Sequence, residues 1–582
     1  MKLRLVFVSA LTVGLGAAPW SVFAAPAGHA LEIHKIGVTS MQGPARQYSG
    51  QELKPRAMKE VERNFYKLGS GSLGSARRPA AHVPTPDSLP VQNAPGHLSF
   101  DGLTVRQQGI ASGFIVAPPD QGLAVGNGFV VEGVNLAVAV YDAESGVRLT
   151  PAIGLNDFFD VPATAFTSDP KVYYDKPTNR FFATILVESS DRIGTLIAVS
   201  QTGDPTGDWN IHFVSAVDAD LPGCPCFGDQ PLIGADANGF FISTNEFPLA
   251  GGFFTGVQVT ALDKKALAEG APTVNAQQFN LTNYTSGFLS GAPPFSVQPA
   301  ITPPNGEYEL ANNGTEYFLS SVDYFGLVDR IAVFAATNTA SLSSEPDVHL
   351  QRVVIPSESY GEPAAMEQPE IPVSEYTSEL PLAAALREGT SRLAAEPTNA
   401  HEQLVASNDD RMNQVVYTNG TLWSGVNTVV KPKGHVQTGI AWFAVTPGFD
   451  NGALTAAMAN QGYIAVDKNS VVFPSIGVNA RGEAIVSYTL IGRDHLPAAA
   501  YSRISIEDGA GPVQILAPGA NANDGFTGYP WPGNNSRVSR WGDYSAAVAD
   551  ENGDIWLATE FVPDEPRLDL ANWGTRISKV SP

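Results

Sequence analysis

The sequence predicts an all-β chain built on one repeated hairpin, and three observations lead there. The first is composition. In 582 residues there are 56 Gly and 44 Pro, only 16% of residues are charged, and Val, Thr, Phe and Tyr recur in short runs between turn residues. That is the pattern of many short strands and argues against helix. The second is the stretch Phe227 to Phe247, FGDQPLIGADANGFFISTNEF. It reads as a strand, a turn on Asp236-Ala237-Asn238-Gly239 and a second strand, with Asn and Gly supplying the positive φ of a tight hairpin. The third is recurrence, because seven such units follow one another.

Before the repeat, Met1 to Ala24 reads as an export signal. Lys2 and Arg4 give the positive start, Leu5 to Ala18 the apolar run, and Val22-Phe23-Ala24 the small-residue cut before Ala25. The apolar run is short for a membrane span, so a secreted protein, extracellular or periplasmic, is expected. Residues 25–96 read as an irregular N-terminal extension or linker, with one short helix over Gln51 to Leu68. Gly69-x-Gly71-x-x-Gly74 matches the dinucleotide fingerprint only formally, since no strand precedes it. Cys224 and Cys226 read as a local staple or two half-buried thiols. A bond between them is disfavoured because the ring across Pro225 is small, and two ligands fall short of a closed zinc site.

Each unit opens on a polar residue and closes its second strand on another. The first is PDQGLAVGNGFVVEGVN, with Asp120, Glu132 and Asn135. The second is SDPKVYYDKPTNRFFATILVES, with Asp169, Lys171 and Glu188. In the third, Asp229 and Glu246 take the two places. In the fourth, VQPAITPPNGEYELANNGTEYFLSSVDY, Gln298 takes the acidic place and Asp323 ends the second strand. A Pro- and Glu-rich insertion near 357–402 reads as a loop. The fifth unit, NDDRMNQVVYTNGTLWSGVN, has Asp409, Asp410, Arg411 and Asn427. The sixth, VFPSIGVNARGEAIVSYTL, starts at Pro474 without a carboxylate. The seventh, WGDYSAAVADENGDIWLATEF, has Asp543 and Glu560.

A third alternating strand follows most hairpins, and the spacing fits the roughly 40–50-residue period of propeller blades, with insertions in loops. The last unit lacks room for a fourth strand. Leu98 to Gln107 is expected to supply it, closing a seven-bladed β-propeller over 97–582 that leaves no open edge and needs no second copy, hence a monomer.

Ala549 to Thr559, ADENGDIWLAT, resembles the blade turn D-x-x-G-x-[IL]-W-x-x-T of sensor-type and sialidase-like propellers. With SDPKVYYD, GDQPLIG, DRMNQVVYTNGTLW, SRWGDYSA and WGTRI, the region from Asp120 onward resembles secreted bacterial seven-bladed propellers, a likeness that implies architecture and leaves activity open. No Ser-x-Asp-x-Gly-x-Thr-Trp box is present, and no catalytic residue carries over.

The net charge of −23 repels phosphate backbones, so nucleic acid is not an expected partner. No Gly-x-Ser-x-Gly elbow, His-Glu-x-x-His or Walker A motif appears. In a propeller the innermost strands line the channel, so Asp120, Asp169, Asp229, Asp410 and Asp543 are expected at one mouth, with Glu188, Glu246, Asp323 and Glu560 beside them. Three readings stand for this mouth. Each Asp caps its own blade turn; the acids bind a hard cation, Ca²⁺; or two of Asp169, Asp229, Glu246, Asp543 and Glu560 act as acid and base on a glycosidic bond. Lys171, Arg411 and Arg540 are counter-ions or anion ligands, and Trp541 and Tyr544 sit beside them as ligand-binding candidates. Trp423, Trp442, Trp531, Trp556 and Trp573 read mainly as packing between blades. Asp550 to Asp554 has oxygen ligands at alternate positions, but without the bidentate Glu of a calcium loop. The expected function is a secreted binding propeller offering its acidic mouth to a cation and a glycan or protein ligand. The alternative is an extracellular glycoside hydrolase or polysaccharide lyase.

Overall fold

The structure is a computed structural model describing residues 23–24, 27–43, 46–49, 53–56, 82–216, 224–249, 254–281, 294–322, 326–369, 404–528, 538–565 and 570–582. The expected export signal up to residue 22, the Gly69-x-Gly71-x-x-Gly74 motif, Asp323, Trp531 and most of the expected helix over 51–68 lie outside these residues.

Among the described residues the strands fall into seven successive antiparallel sets. The first runs through Gly122–Gly126, Phe129–Val134, Ala137–Asp142 and Ile153–Gly154. The second runs from Phe166–Asp175 out to Asp208–Ser215, the third from Cys226–Ala235 to Thr273–Asn280, and the fourth from Phe295–Ile301 to His349–Tyr360. The fifth spans Val415–Thr418 to Ala453–Ile464 and the sixth Asn469–Val478 to Val513–Ala517. The seventh has three strands of its own, Ala546–Ala549, Ile555–Phe561 and Gly574–Val580, and takes its fourth from Ser99–Thr104. The expected closing strand is thus present but shorter than 98–107. Thr104 ends it by capping the helix Val105–Ser112, where its hydroxyl and the Gln107 side chain form a capping box.

Neighbouring sets are joined by apolar side chains, because strands buried on both faces must pack on both sides. Phe181 and Ile185 meet Val131 and Val140 between the first and second sets. Ile485 and Tyr501 meet Ile555 and Leu557 between the sixth and seventh. Trp556, Trp573 and Ile577 of the seventh meet Leu123, Val130 and Ala139 of the first. The first strands of successive sets lie side by side, and Ala546–Ala549 packs against Gly122–Gly126. Where these inner strands pair across sets they run parallel, Ala235 with Ile301 and Ala300 with Val415. The last strand therefore comes back to the first.

The N-terminal extension differs from the expected linker. His29–Ser40 is a twelve-residue strand that adds to the outer edges of two sets. Its first half pairs with Thr273–Asn280 and its second with Asp208–Ser215. Val91–Asn93 edges the sixth set. Composition missed this because an edge strand facing solvent needs little apolar content. Residues 357–360 of the expected insertion continue the outer strand of the fourth set; residues 370–403 lie outside the described residues. Cys224 and Cys226 are bonded to each other with their Cα atoms 4.4 Å apart, so the staple forms across the single Pro225.

Candidate functional site at the ring axis

At the entrance to the inner strands the backbone repeats one irregularity. Asp120, Asp169, Gln230, Ser296 and Phe473 have φ of 44, 54, 51, 51 and 57°, and Gly542 of 128°. The ladder register slips at the same places, between Ser168 and Lys171, Asp229 and Leu232, Phe295 and Gln298, and Val472 and Ser475. These kinks correct the alignment of the repeats. Asp229 stands one residue before the kink, so it matches Ser168 and not Asp169. Gln298 stands two after it, in the place of Lys171, and Pro474 stands one after it.

An Asn at the end of a second strand clamps the kink of the next set. Asn135 Oδ1 accepts the Asp169 N–H at 3.1 Å, Asn245 Oδ1 the Ser296 N–H at 2.9 Å and Asn427 Oδ1 the Phe473 N–H at 2.7 Å. Between the last and first sets Asp120 takes this part, its Oδ1 accepting the Asp543 N–H at 2.8 Å while Asn135 Nδ2 donates to its Oδ2 at 2.7 Å. For Asp120 the expected cap on its own blade turn is corrected, since its oxygen accepts an N–H of a neighbouring set. Sequence reading missed the clamp as a device, although Gly-Val-Asn at 133–135 and again at 425–427 was its visible trace.

Asp120, Asp169, Asp543, Tyr544 and Glu560 form one buried group. Tyr544 donates to Asp169 Oδ1 at 3.3 Å, and Arg540 to Asp543 Oδ1 at 3.0 Å. One oxygen each of Asp120 and Glu560 lies 3.4 Å from the point where a Cβ on Gly542 would sit, so the two are at most twice that distance apart. Burial, followed by the charges of Asp543 and Asp169, holds the Asp120 carboxyl well above the usual carboxylate range. Burial and Asp543 raise Asp169, and burial and Asp120 push Glu560 well up. Lys171 points its Nζ at the Tyr544 ring, 2.7 Å from the centroid. Burial brings its amine down to about 7, against the pull of Asp169, Asp120 and Asp543.

Asp229 adds its charge to this group, joining burial, Asp169, Asp120 and Asp543 in raising the Tyr544 phenol; the other candidates are placed elsewhere or used in packing. Asp229 and Asp410 are buried. Glu246 is buried and accepts the Thr244 hydroxyl at 2.6 Å. Arg411 grips Asp409 with two bonds of 2.8 Å and reaches Gln230 at 2.8 Å, which makes it a strut between the fifth and third sets. Trp541 donates its indole N–H to Thr489 and packs on Phe473 and Val562, so it is core and not a ligand platform. Trp423, Trp442, Trp556 and Trp573 are likewise buried. Asp550 accepts the backbone N–H groups of Asn552 and Asp554 and the Trp556 indole N–H; the turn is a hairpin and its carboxylate is used up.

Among the described residues no group of three or more His, Cys, Asp or Glu is arranged to hold a metal ion. Asn135, Arg540, Asn408 and a backbone N–H donate to Asp120 and Asp543.

Beyond Lys171 and Tyr544, along the inner strands, lies a narrow axial cavity of about 70 Å³. Its walls include Tyr173, Tyr174, Gln230, Gln298 and Gln414 among apolar residues such as Leu232 and Met412. At the far end the loop carrying Pro303 and Tyr308 crosses the axis. Asn305 donates to the Glu551 carbonyl at 2.8 Å and Tyr417 to Glu309 at 2.9 Å.

Fold and site together define a β-propeller whose acidic end is sealed by its own hydrogen bonds. No family model matches the chain, and no curated protein does. Among solved structures it is similar to an exo-β-1,3-galactanase from Clostridium thermocellum, at 9% identity and TM-score 0.28, covering 81% of this chain and 94% of that one. It is also similar to a protein of unknown function from Dyadobacter fermentans, at 10% identity and TM-score 0.30, covering 71% and 95%. The Trypanosoma rangeli sialidase matches at 9% identity and TM-score 0.31, covering 71% of this chain and 54% of that one. No helix among the described residues is long and apolar enough to cross a membrane.

Proposed function

We propose that the protein is an exported carbohydrate-binding propeller, its seven strand sets forming seven blades and its ligand sitting in the axial cavity. The carrying observation is the cavity itself. It sets a few amide, hydroxyl and amine groups among aromatic and apolar walls, as small-molecule sites do. Tyr173 and Tyr174 offer ring faces for a sugar to stack on. The acids take a structural part, since their oxygens hold neighbouring sets together.

The test is titration of the purified protein with neutral and sialylated oligosaccharides by calorimetry, with reducing-end release assayed in parallel, each with and without EDTA. Binding without new reducing ends, unaffected by EDTA and weakened by Tyr174→Ala, is the expected result. Absence of binding across the panel overturns it, and binding that EDTA abolishes restores the calcium reading.

One observation favours a second reading, hydrolysis. Asp120 and Glu560, whose carboxyls burial holds well above the usual range, stand beside Asp543, which Arg540 pairs with. Carboxyl groups with such contrasting surroundings are how a glycosidase separates acid from base. New reducing ends that vanish in both Asp543→Asn and Glu560→Gln establish that reading in place of the first.

A further inference from the structure

We propose that Lys171 is a nucleophilic amine that condenses with an aldehyde entering the axial cavity, the open-chain end of a reducing sugar being the aldehyde such a site would meet. This goes beyond the binding reading, because a small aldehyde needs the cavity and no glycan recognition.

Three observations carry it. Lys171 is the one charged side chain among the described residues of the cavity wall, where Leu232, Met412 and Val172 are its neighbours. Among the described residues no carboxylate lies within ion-pairing distance of its Nζ, which instead faces the Tyr544 ring. Carboxyls that can pass a proton stand just behind it, with Tyr544 donating to Asp169 Oδ1 at 3.3 Å.

The groups that set the charge of the amine come from four strand sets. Asp169, Asp120 and Asp543 favour the ammonium, Arg411 opposes it, and burial outweighs them to leave the amine at about 7. A lysine desolvated in this way keeps a usable fraction of free amine at neutral pH. The Tyr544 phenol, held well above its usual range by burial and then by Asp169, stays neutral.

The step balances without a co-reactant. The Nζ lone pair forms the N–C bond as the carbonyl π pair moves onto oxygen, and a proton passes from nitrogen to that oxygen to give a carbinolamine. Asp169, whose carboxyl burial and Asp543 hold above the usual range, protonates the hydroxyl. Water leaves as the nitrogen lone pair forms the C=N bond, and the remaining N–H proton returns to the carboxylate. Amine and aldehyde become imine and water.

The experiment treats the full chain with glycolaldehyde and cyanoborohydride, briefly and at low stoichiometry, and maps reductively alkylated lysines by peptide mass spectrometry. At pH 7, Lys171 is expected to take about tenfold or more the label of an average exposed lysine, because ordinary lysines are almost fully protonated there. Its labelling should reach half its maximum near pH 7, whereas exposed lysines keep gaining label above pH 9. In 8 M urea the preference should vanish. An unlabelled Lys171 amid labelled surface lysines overturns the proposal, and so does a Lys171 profile that follows theirs. The wild-type map needs no variant to fold, and Lys171→Arg, which should lose this one adduct alone, serves as the control. Failure here leaves the oligosaccharide titration standing, and failure there leaves the adduct standing.

Discussion

At the scale of single residues the Asn clamps make the clearest demand. Asn245 satisfies the buried N–H of Ser296 and also donates to Gln230 and to the Ser296 hydroxyl. Asn245→Ala strands those groups, and a buried unsatisfied donor costs about 1–3 kcal/mol. Urea unfolding should show a lower midpoint by that amount with an unchanged slope. Glu560 makes a prediction with a sign. Burial and Asp120 push its carboxyl well above the ordinary 4.5, so the folded chain holds a proton there that the unfolded chain has lost. Stability from this group therefore falls as pH rises past 4.5 toward the raised folded value. Glu560→Gln does not titrate, and its melting temperature should exceed that of the wild type by about 2 °C at pH 8 and match it near pH 4, the shift that roughly 1 kcal/mol produces in a large domain. These acids were legible in the sequence as a set. Their exact offset was not, because a one-residue kink at positive φ changes which side chain faces the axis and leaves no mark in hydrophobic pattern. Thus Asp229 and Asp169 look equivalent in sequence and sit one place apart in the ladder.

At the scale of elements, glycine sets how closely inner strands approach. A Cβ on Gly234 would lie 2.4 Å from the Ala300 carbonyl oxygen, a backbone atom that cannot swing away. Gly234→Ala should destabilise by about 1–3 kcal/mol, read as a lower denaturant midpoint. The strand His29–Ser40 covers the edges of two sheets at once. Removing residues 29–40 should leave a chain that elutes as aggregates in size-exclusion chromatography, because two unpaired edges are then open to other chains. Its edge role was hidden in the sequence, since HALEIHKIGVTS carries charges and histidines where a core strand would not. The hairpins, by contrast, were readable from Asn-Gly turns and period-two alternation, and the borrowed strand at 99–104 followed from the shortfall at the C-terminus.

For the molecule as a whole, charge and topology matter together. A net charge of −23 spread over one compact ring repels itself, and salt screens that repulsion within about 10 Å at 0.1 M. Raising NaCl from 20 to 500 mM should raise the melting temperature; a fall would mean that ion pairs such as Arg540 with Asp543 outweigh the repulsion. The architecture was legible because repetition multiplies a weak local signal. The cavity was not, since its walls come from strands hundreds of residues apart and no stretch of sequence places Lys171 opposite Tyr544.

The pairing of Ser99–Thr104 with Gly574–Val580 also sets a clock. A chain leaving the ribosome holds Ser99–Thr104, one half of its latch, long before it holds the other. Every shorter length is an open arc, and the circle exists only once Gly574–Val580 has emerged.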